Sequence, residues 1–170
     1  MQGTLLAASI AVWVLLDQAS KAFFAKVLAH GAVIGPFAGV FQFALVHNTG
    51  GAWGVFSNST FALGCFSLVV CAALVAYALY DAAQMCPAET IGLGLVVAGG
   101  IGNAIDRFAL GYVVDFIDPV FIEFPVFNIA DIGVTCGFAL FVIAYLLRNR
   151  AQAKRMMQDG ALESRLGEGE

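Results

Sequence analysis

The stretch FALGCFSLVVCAALVAYALY, residues 61–80, holds no Asp, Glu, Lys, Arg or His. A helix needs about 20 mostly apolar residues to cross the hydrocarbon core of a bilayer, and this run reaches that length without interruption. Working outward, residues 89–108 form a second span, carrying Asn103, Asp106 and Arg107 at its far end, whose Gly92, Gly94, Gly99, Gly100 and Gly102 allow close helix approach in a membrane. Residues 127–147 form another. Residues 4–28 form the first span in chain order, apolar to Leu16 and then broken by Asp17, Lys21 and Lys26. With 170 residues, 61% of them hydrophobic and 12% charged, the composition excludes a water-soluble domain and leaves a membrane protein with short connections.

Five of the eight basic residues, Arg148, Arg150, Lys154, Arg155 and Arg165, follow the last apolar run. Lys and Arg beside a span favour the cytoplasmic side, so the carboxyl terminus is expected there, and four crossings return the amino terminus to the same side. No Lys or Arg precedes Leu5, and the first run reads as a retained helix rather than a cleaved leader. The expected organisation is one membrane domain over residues 1–150 and a charged, poorly ordered cytoplasmic tail over 151–170. Cys65, Cys71, Cys86 and Cys136 make no Cys-x-x-Cys pair and lie near no histidine, so neither a disulfide framework nor a metal site is expected.

The connections alternate in character. Residues 81–87 form a short polar link, with Pro87 suited to open the next helix. Residues 29–58 are rich in glycine, aromatic and β-branched residues, with a strand-like piece at 40–46 ending in His47-Asn48-Thr49-Gly50-Gly51. Residues 112–116 can pair as a further strand before Pro119 and Pro125. The fold class expected is therefore an all-α membrane protein with a small β component: four transmembrane helices, both termini cytoplasmic, and the β segment outside.

On this topology Asp17, Lys21, Asn48, Asn103, Asp106, Arg107, Asp115, Asn128 and Asp131 all fall at one end of the bundle. The opposite end offers little comparable except the basic tail. Ionisable groups near hydrocarbon are costly and normally pair or face a watery cavity, so one shared polar site is expected. Two carboxylates within reach of each other cannot both ionise easily. One pKa rises, and the pair can divide acid and base roles near neutral pH. In peptide hydrolysis the ionised member would take a proton from the attacking water while the protonated one supports the oxyanion and assists the leaving amine.

Spacing alone does not select the pair from Asp17, Asp106, Asp115, Asp118 and Asp131. Asp106 beside Arg107 suits an ion pair or cap, and Asp118 before Pro119 suits a turn. Asp131 also reads as a buried helix cap or a partner of Asn128, and Asp115 as a strand-edge charge exposed to water. His30, His47, Trp13 and Trp53 read as interfacial or packing residues.

Five segments carry a family resemblance: Asp17-Gln18-Ala19-Ser20-Lys21, Asn48-Thr49-Gly50-Gly51-Ala52-Trp53-Gly54, Gly99-Gly100-Ile101-Gly102-Asn103-Ala104-Ile105-Asp106-Arg107, Val113-Val114-Asp115-Phe116 and Phe124-Pro125-Val126-Phe127-Asn128-Ile129-Ala130-Asp131. In this order, on four spans, the chain resembles lipoprotein signal peptidase, also called signal peptidase II. Gly51 departs from the alanine common in relatives. The resemblance implies an aspartic endopeptidase with Asp115 and Asp131 as the catalytic residues. Asn48, Gly50, Asn103, Asp106, Arg107 and Asn128 would be supporting or substrate-binding, and Asp17 and Lys21 would match the family's first-helix polar pair. It further implies a β-cradle and interfacial helix over the site, no cofactor and no metal.

The implied substrate is a prolipoprotein whose lipobox cysteine carries a diacylglyceryl group, cut just before that cysteine at the outer face of the bacterial inner membrane. Membrane lipid is the other expected partner. No nucleic acid is expected, and the chain is expected to act as a monomer. Two other classes compete on residues alone. A small ion- or proton-coupled transporter would place polar residues along the depth of the bundle. An assembly subunit would use the glycine-rich helix to bind partners and leave the polar end without a task.

Overall fold

The computed structural model describes residues 1–50 and 59–167, with side chains described as far as residue 159. Four helices are long and apolar enough to cross a membrane. In chain order the elements are α1 (Gln2–Val27), a 3-10 turn (Ala29–Gly31), β1 (Val33–Phe37), β2 (Phe41–Asn48), α2 (Thr60–Tyr80), α3 (Pro87–Ala109), β3 (Val113–Pro119) and α4 (Ile129–Gly167). The mostly helical fold with a small β component is thus as expected from the sequence. Gly51, Ala52, Trp53 and Gly54 of the second motif, and the interfacial helix expected near them, lie outside the described residues.

The helix α3 is the centre of the bundle, packed against α1, α2 and α4, and its glycines face all three. A Cβ on Gly94 or Gly102 would strike Ser9 or Asp17 of α1, one on Gly100 would strike Cys71 of α2, and one on Gly92 or Gly99 would strike the backbone of α4. Close approach through small residues replaces the hydrophobic driving force that lipid cannot supply between helices. The outward faces of the other helices carry large exposed apolar side chains, among them Leu15, Phe66, Val69, Phe138 and Ile143. So extensive an apolar exterior suits hydrocarbon rather than water.

The three strands form one antiparallel sheet in the order β1-β2-β3. The register of the inner pair sets Asn48 opposite Val113, His47 opposite Val114 and Val46 opposite Asp115. An aromatic seam seats this sheet on the end of α1. The Phe24 ring stacks on Phe116 at 4.3 Å and lies 4.5 Å from Phe43, and Leu28, Val114 and Phe116 are buried beneath. Packing against a helix gives a sheet of this size the support it lacks alone.

Two features differ from the sequence reading. The last helix does not stop near residue 147 but continues to Gly167, 39 residues in all. At 1.5 Å per residue this is about twice the hydrocarbon thickness, so its second half projects beyond the apolar run. Residues 151–167 are mostly Ala, Gln, Lys, Arg, Met, Glu and Leu, all good helix formers, and they extend a helix that is already nucleated.

The second difference is a buried polar cluster at the end expected to have almost none. Arg148 of α4 lies 3.0 Å from Asp81 and 3.2 Å from Glu89, and Glu89 is fully buried. The other carboxylate oxygen of Glu89 accepts the Cys86 N–H at 2.7 Å, closing the capping box that starts α3. Gln2 of α1 joins by donating to the Met85 carbonyl and accepting from Thr90. All four helices are therefore tied together at this end.

Candidate active site

The site is built where α1, α3, β2, β3 and the start of α4 converge. Asn128 precedes α4 as its cap, and the box it forms with Asp131 is reciprocal. The Asp131 N–H donates to Asn128 Oδ1 and the Asn128 N–H donates to Asp131 Oδ2, both at 3.1 Å. Both structural alternatives for Asp131, helix cap and partner of Asn128, are realised together. Neither consumes its second oxygen, Oδ1, which accepts from Asn103 Nδ2 at 2.8 Å.

Asp115 sits in β3, buried rather than exposed at a strand edge, with 2% of its surface accessible. Asn48, across the strand pair, donates to its Oδ2 at 3.0 Å, and Asn128 donates to its Oδ1 at 2.6 Å. The Gly50 N–H donates to Asn48 Oδ1 at 2.9 Å, which turns the amide so that its nitrogen faces Asp115. Burial pushes the Asp115 carboxyl up to about 7. The negative charge of Asp131 adds to the rise, while the Asn48 and Asn128 donors and the Lys21 ammonium oppose it.

Behind the two carboxylates stands a charged support. The Lys21 ammonium meets three acceptors: Asp17 Oδ2 at 2.9 Å, Asp106 Oδ2 at 3.0 Å and Asn103 Oδ1 at 2.9 Å. Its grip on the Asn103 oxygen fixes which way that amide points, and so delivers Asn103 Nδ2 to Asp131. Asp106 pairs with Lys21 rather than with adjacent Arg107, and its Oδ2 accepts the Val114 N–H at 3.0 Å, pinning β3 to α3. Arg107 turns the other way and donates to the Gly50 carbonyl at 3.3 Å. Neither Asp115 nor Asp131 has a salt-bridge partner among the described residues.

A cleft of about 270 Å³ opens over this floor. Asn48, Asn103, Arg107, Asp115 and Asp131 form its polar side, and Val113, Phe124, Pro125, Val126, Phe127 and Val134 its apolar side. A neighbouring groove of about 260 Å³ between α2, α3 and α4, lined by Leu63, Phe66, Val70 and Leu74 among others, shares Arg107 and Val134 with it. Among the described residues, no group of three or more His, Cys, Asp or Glu is disposed to hold a metal ion.

Every supporting residue expected from the sequence is brought to this end, while Asp118 stands apart with Gln42 at 2.7 Å and His47 stacks on Tyr112 at 4.1 Å. Sequence reasoning passed over two residues. Gln18 donates to Asp17, to Asp106 and to the Gly102 carbonyl, and Trp13 donates to the Ile129 carbonyl. A glutamine beside an aspartate inside an apolar span was the signal for the first; an indole N–H carries none that distinguishes it from packing.

Comparison with known proteins now bears on this geometry. Residues 9–147 match the family model for signal peptidase (SPase) II. The chain is 40% identical over 141 residues to the lipoprotein signal peptidase of Gloeobacter violaceus, covering 83% of this chain and 80% of that one. To the lipoprotein signal peptidase of Dehalococcoides mccartyi it is 39% identical over 150 residues, covering 85% and 91%. Two solved bacterial membrane enzymes share the fold, one with TM-score 0.76 and 33% identity over 86% of this chain and 90% of the other. The second gives TM-score 0.72 and 32% identity over 85% and 93%.

The class so defined is a multi-pass bacterial membrane protease. The chain belongs to the signal peptidase II family. The transport alternative is left without support, since the polar side chains gather at the two ends and α3 meets its neighbours between them through small and apolar residues.

Proposed function

We propose that Asp115 and Asp131 are the catalytic pair with which this signal peptidase II cleaves diacylglyceryl-modified prolipoproteins just before the lipidated cysteine. The observation that carries the reading is the pair itself. Two carboxylates joined through Asn128, with no salt bridge among the described residues, form the floor of an open cleft, and burial pushes one of them up to about 7. Asp115 therefore still has a proton to give near neutrality.

Asp131 takes a proton from water as the water oxygen bonds to the scissile carbonyl carbon. Asp115 donates its proton toward the carbonyl oxygen, giving a tetrahedral diol. Collapse returns a hydroxyl proton of the diol to Asp115 as the carbonyl re-forms, breaks the C–N bond and sends the proton gained by Asp131 to the leaving amine. Asn48, Asn103 and Asn128 hold both carboxylates in place throughout, Gly50 supports them by orienting Asn48, and Arg107 in the cleft wall is suited to bind the substrate backbone.

The apolar groove beside the cleft suits the hydrocarbon of a lipid-modified substrate. Binding energy gained there positions a peptide bond that otherwise offers little to grip. Arg148, Arg150, Lys154 and Arg155 cluster on α4 away from the cleft, which supports cytoplasmic termini and a cleft on the outer side of the inner membrane. In this reading residues 1–150 form the membrane domain, residues 151–170 a cytoplasmic extension, and the chain acts as a monomer with its site complete within one copy.

Incubation of the purified chain with a prolipoprotein bearing the diacylglyceryl group, and with the same polypeptide lacking it, tests the proposal. Cleavage of the first alone, leaving the lipidated cysteine as the new amino terminus, is expected. Equal cleavage of both, or cleavage at another bond, would contradict it.

A further inference from the structure

Trp13 lies in the apolar part of α1, one helical turn before Asp17, and is only half-buried. An indole N–H is a donor without an acceptor, and in hydrocarbon it must find a partner inside the protein. Trp13 Nε1 donates to the Ile129 carbonyl at 3.1 Å, across the bundle in the first turn of α4. Asp17 Oδ1 accepts the Ala130 N–H at 2.9 Å. These are the two ends of a single peptide group. Residues i and i+4 of α1 share a face, and here one donates to the oxygen and the other accepts from the nitrogen of that group.

The packing leaves this peptide little room. A Cβ on Gly133 would run into Trp13 Nε1, and one on Gly99 would run into the carbonyl oxygen of the next peptide group, that of Ala130, so neither position has room for a side chain. Ala130 is fully buried. Asn128 and Asp131 stand immediately before and after the held unit, and it lies inside the loop of their reciprocal box.

We propose that Trp13 is a positioning residue for the reaction: with Asp17 it fixes the Ile129–Ala130 peptide group and, through it, the placement of the Asp131 carboxylate relative to Asp115. The inference rests on the assignment of Asp131 as the base. It gives Trp13 a part beyond anchoring at the membrane interface and explains why the start of α4 meets α1 through Gly133.

The test compares wild type, Trp13→Phe and Asp131→Asn as purified full-length proteins on the lipid-modified prolipoprotein, with thermal unfolding recorded for each. Phenylalanine keeps an aromatic ring and removes the N–H. For Trp13→Phe a fall in kcat of about fivefold to twentyfold with KM within about twofold is expected, as for a small misplacement of a reacting group. The alkaline limb of the pH profile should move to lower pH as Asp131 gains freedom to draw away from Asp115. If Trp13→Phe does not fold, benzothienylalanine at position 13, which keeps the ring shape and lacks the N–H, carries the same expectation. Unchanged kcat and pH profile, or a loss confined to thermal stability, would overturn the role of Trp13 while an inactive Asp131→Asn leaves the dyad standing. Full activity of Asp131→Asn would overturn both.

Discussion

The two ends of the bundle both bury carboxylates, yet they do so in different ways. At one end Arg148 reaches Asp81 and Glu89 together, with α2, α3 and α4 drawn in around it. At the other, Lys21 spends its contacts on Asp17, Asp106 and Asn103, and among the described residues Asp115 and Asp131 are in no salt bridge, with Arg107 beside them in the cleft wall. Among the described residues those two accept from amide side chains and from the Asn128 backbone N–H, and they face a cleft. Charge that is matched inside the protein holds helices together. Charge left unmatched beside a cavity is held in a state from which protons move.

Breaking the matched charges should act on stability. The largest effect is expected for Lys21→Met, which leaves Asp17 and Asp106 buried without a cation and releases Asn103 from its orientation. Loss of a buried partner of this kind costs about 3–5 kcal/mol, so unfolding in detergent should shift far down and activity vanish with it. Arg148→Met should cost less, about 2–4 kcal/mol, since Glu89 keeps its capping bond to Cys86. Its cleavage rate per folded molecule should stay within about twofold of wild type, because no proton moves at that end. A large loss of kcat in folded Arg148→Met would erase the distinction between the two ends.

Sharpening the unmatched end calls for pH. Because Asp115 is held protonated up to about 7, kcat/KM should fall as pH rises through that value, approaching about tenfold per unit above it. The Asn48 donor favours the ionised form, so Asn48→Ala should push the alkaline limb to higher pH, by less than about one unit, with a severalfold loss of kcat. A limb unmoved by that change would mean that the limb belongs to another group.

Much of this was legible in the chain. Apolar runs of about 20 residues, uninterrupted only at 61–80, mark the spans, and the Asn128-x-x-Asp131 spacing is a capping pattern that places both residues at a helix start. Other features depend on directions that a linear sequence conceals. Asp106 and Arg107 are neighbours, but successive helical side chains do not face each other. One turns to Lys21 and the other to Gly50, so the structural ion pair expected of Asp106 forms with Lys21 rather than with its neighbour. Glu89, Asp81 and Arg148 meet only because α4 passes the level of the α2–α3 connection at Arg148, which no local pattern announces. The tail's charge suggested disorder, while its helix propensity decided otherwise.

The most direct measurement is cleavage of the lipid-modified prolipoprotein by Asp115→Asn and Asp131→Asn, each shown by thermal unfolding to be folded. Asparagine keeps size and most hydrogen bonds but cannot exchange a proton, so each variant is expected to lose at least about a thousandfold in kcat. Folded protein with near wild-type turnover in either variant would contradict the assignment of the pair.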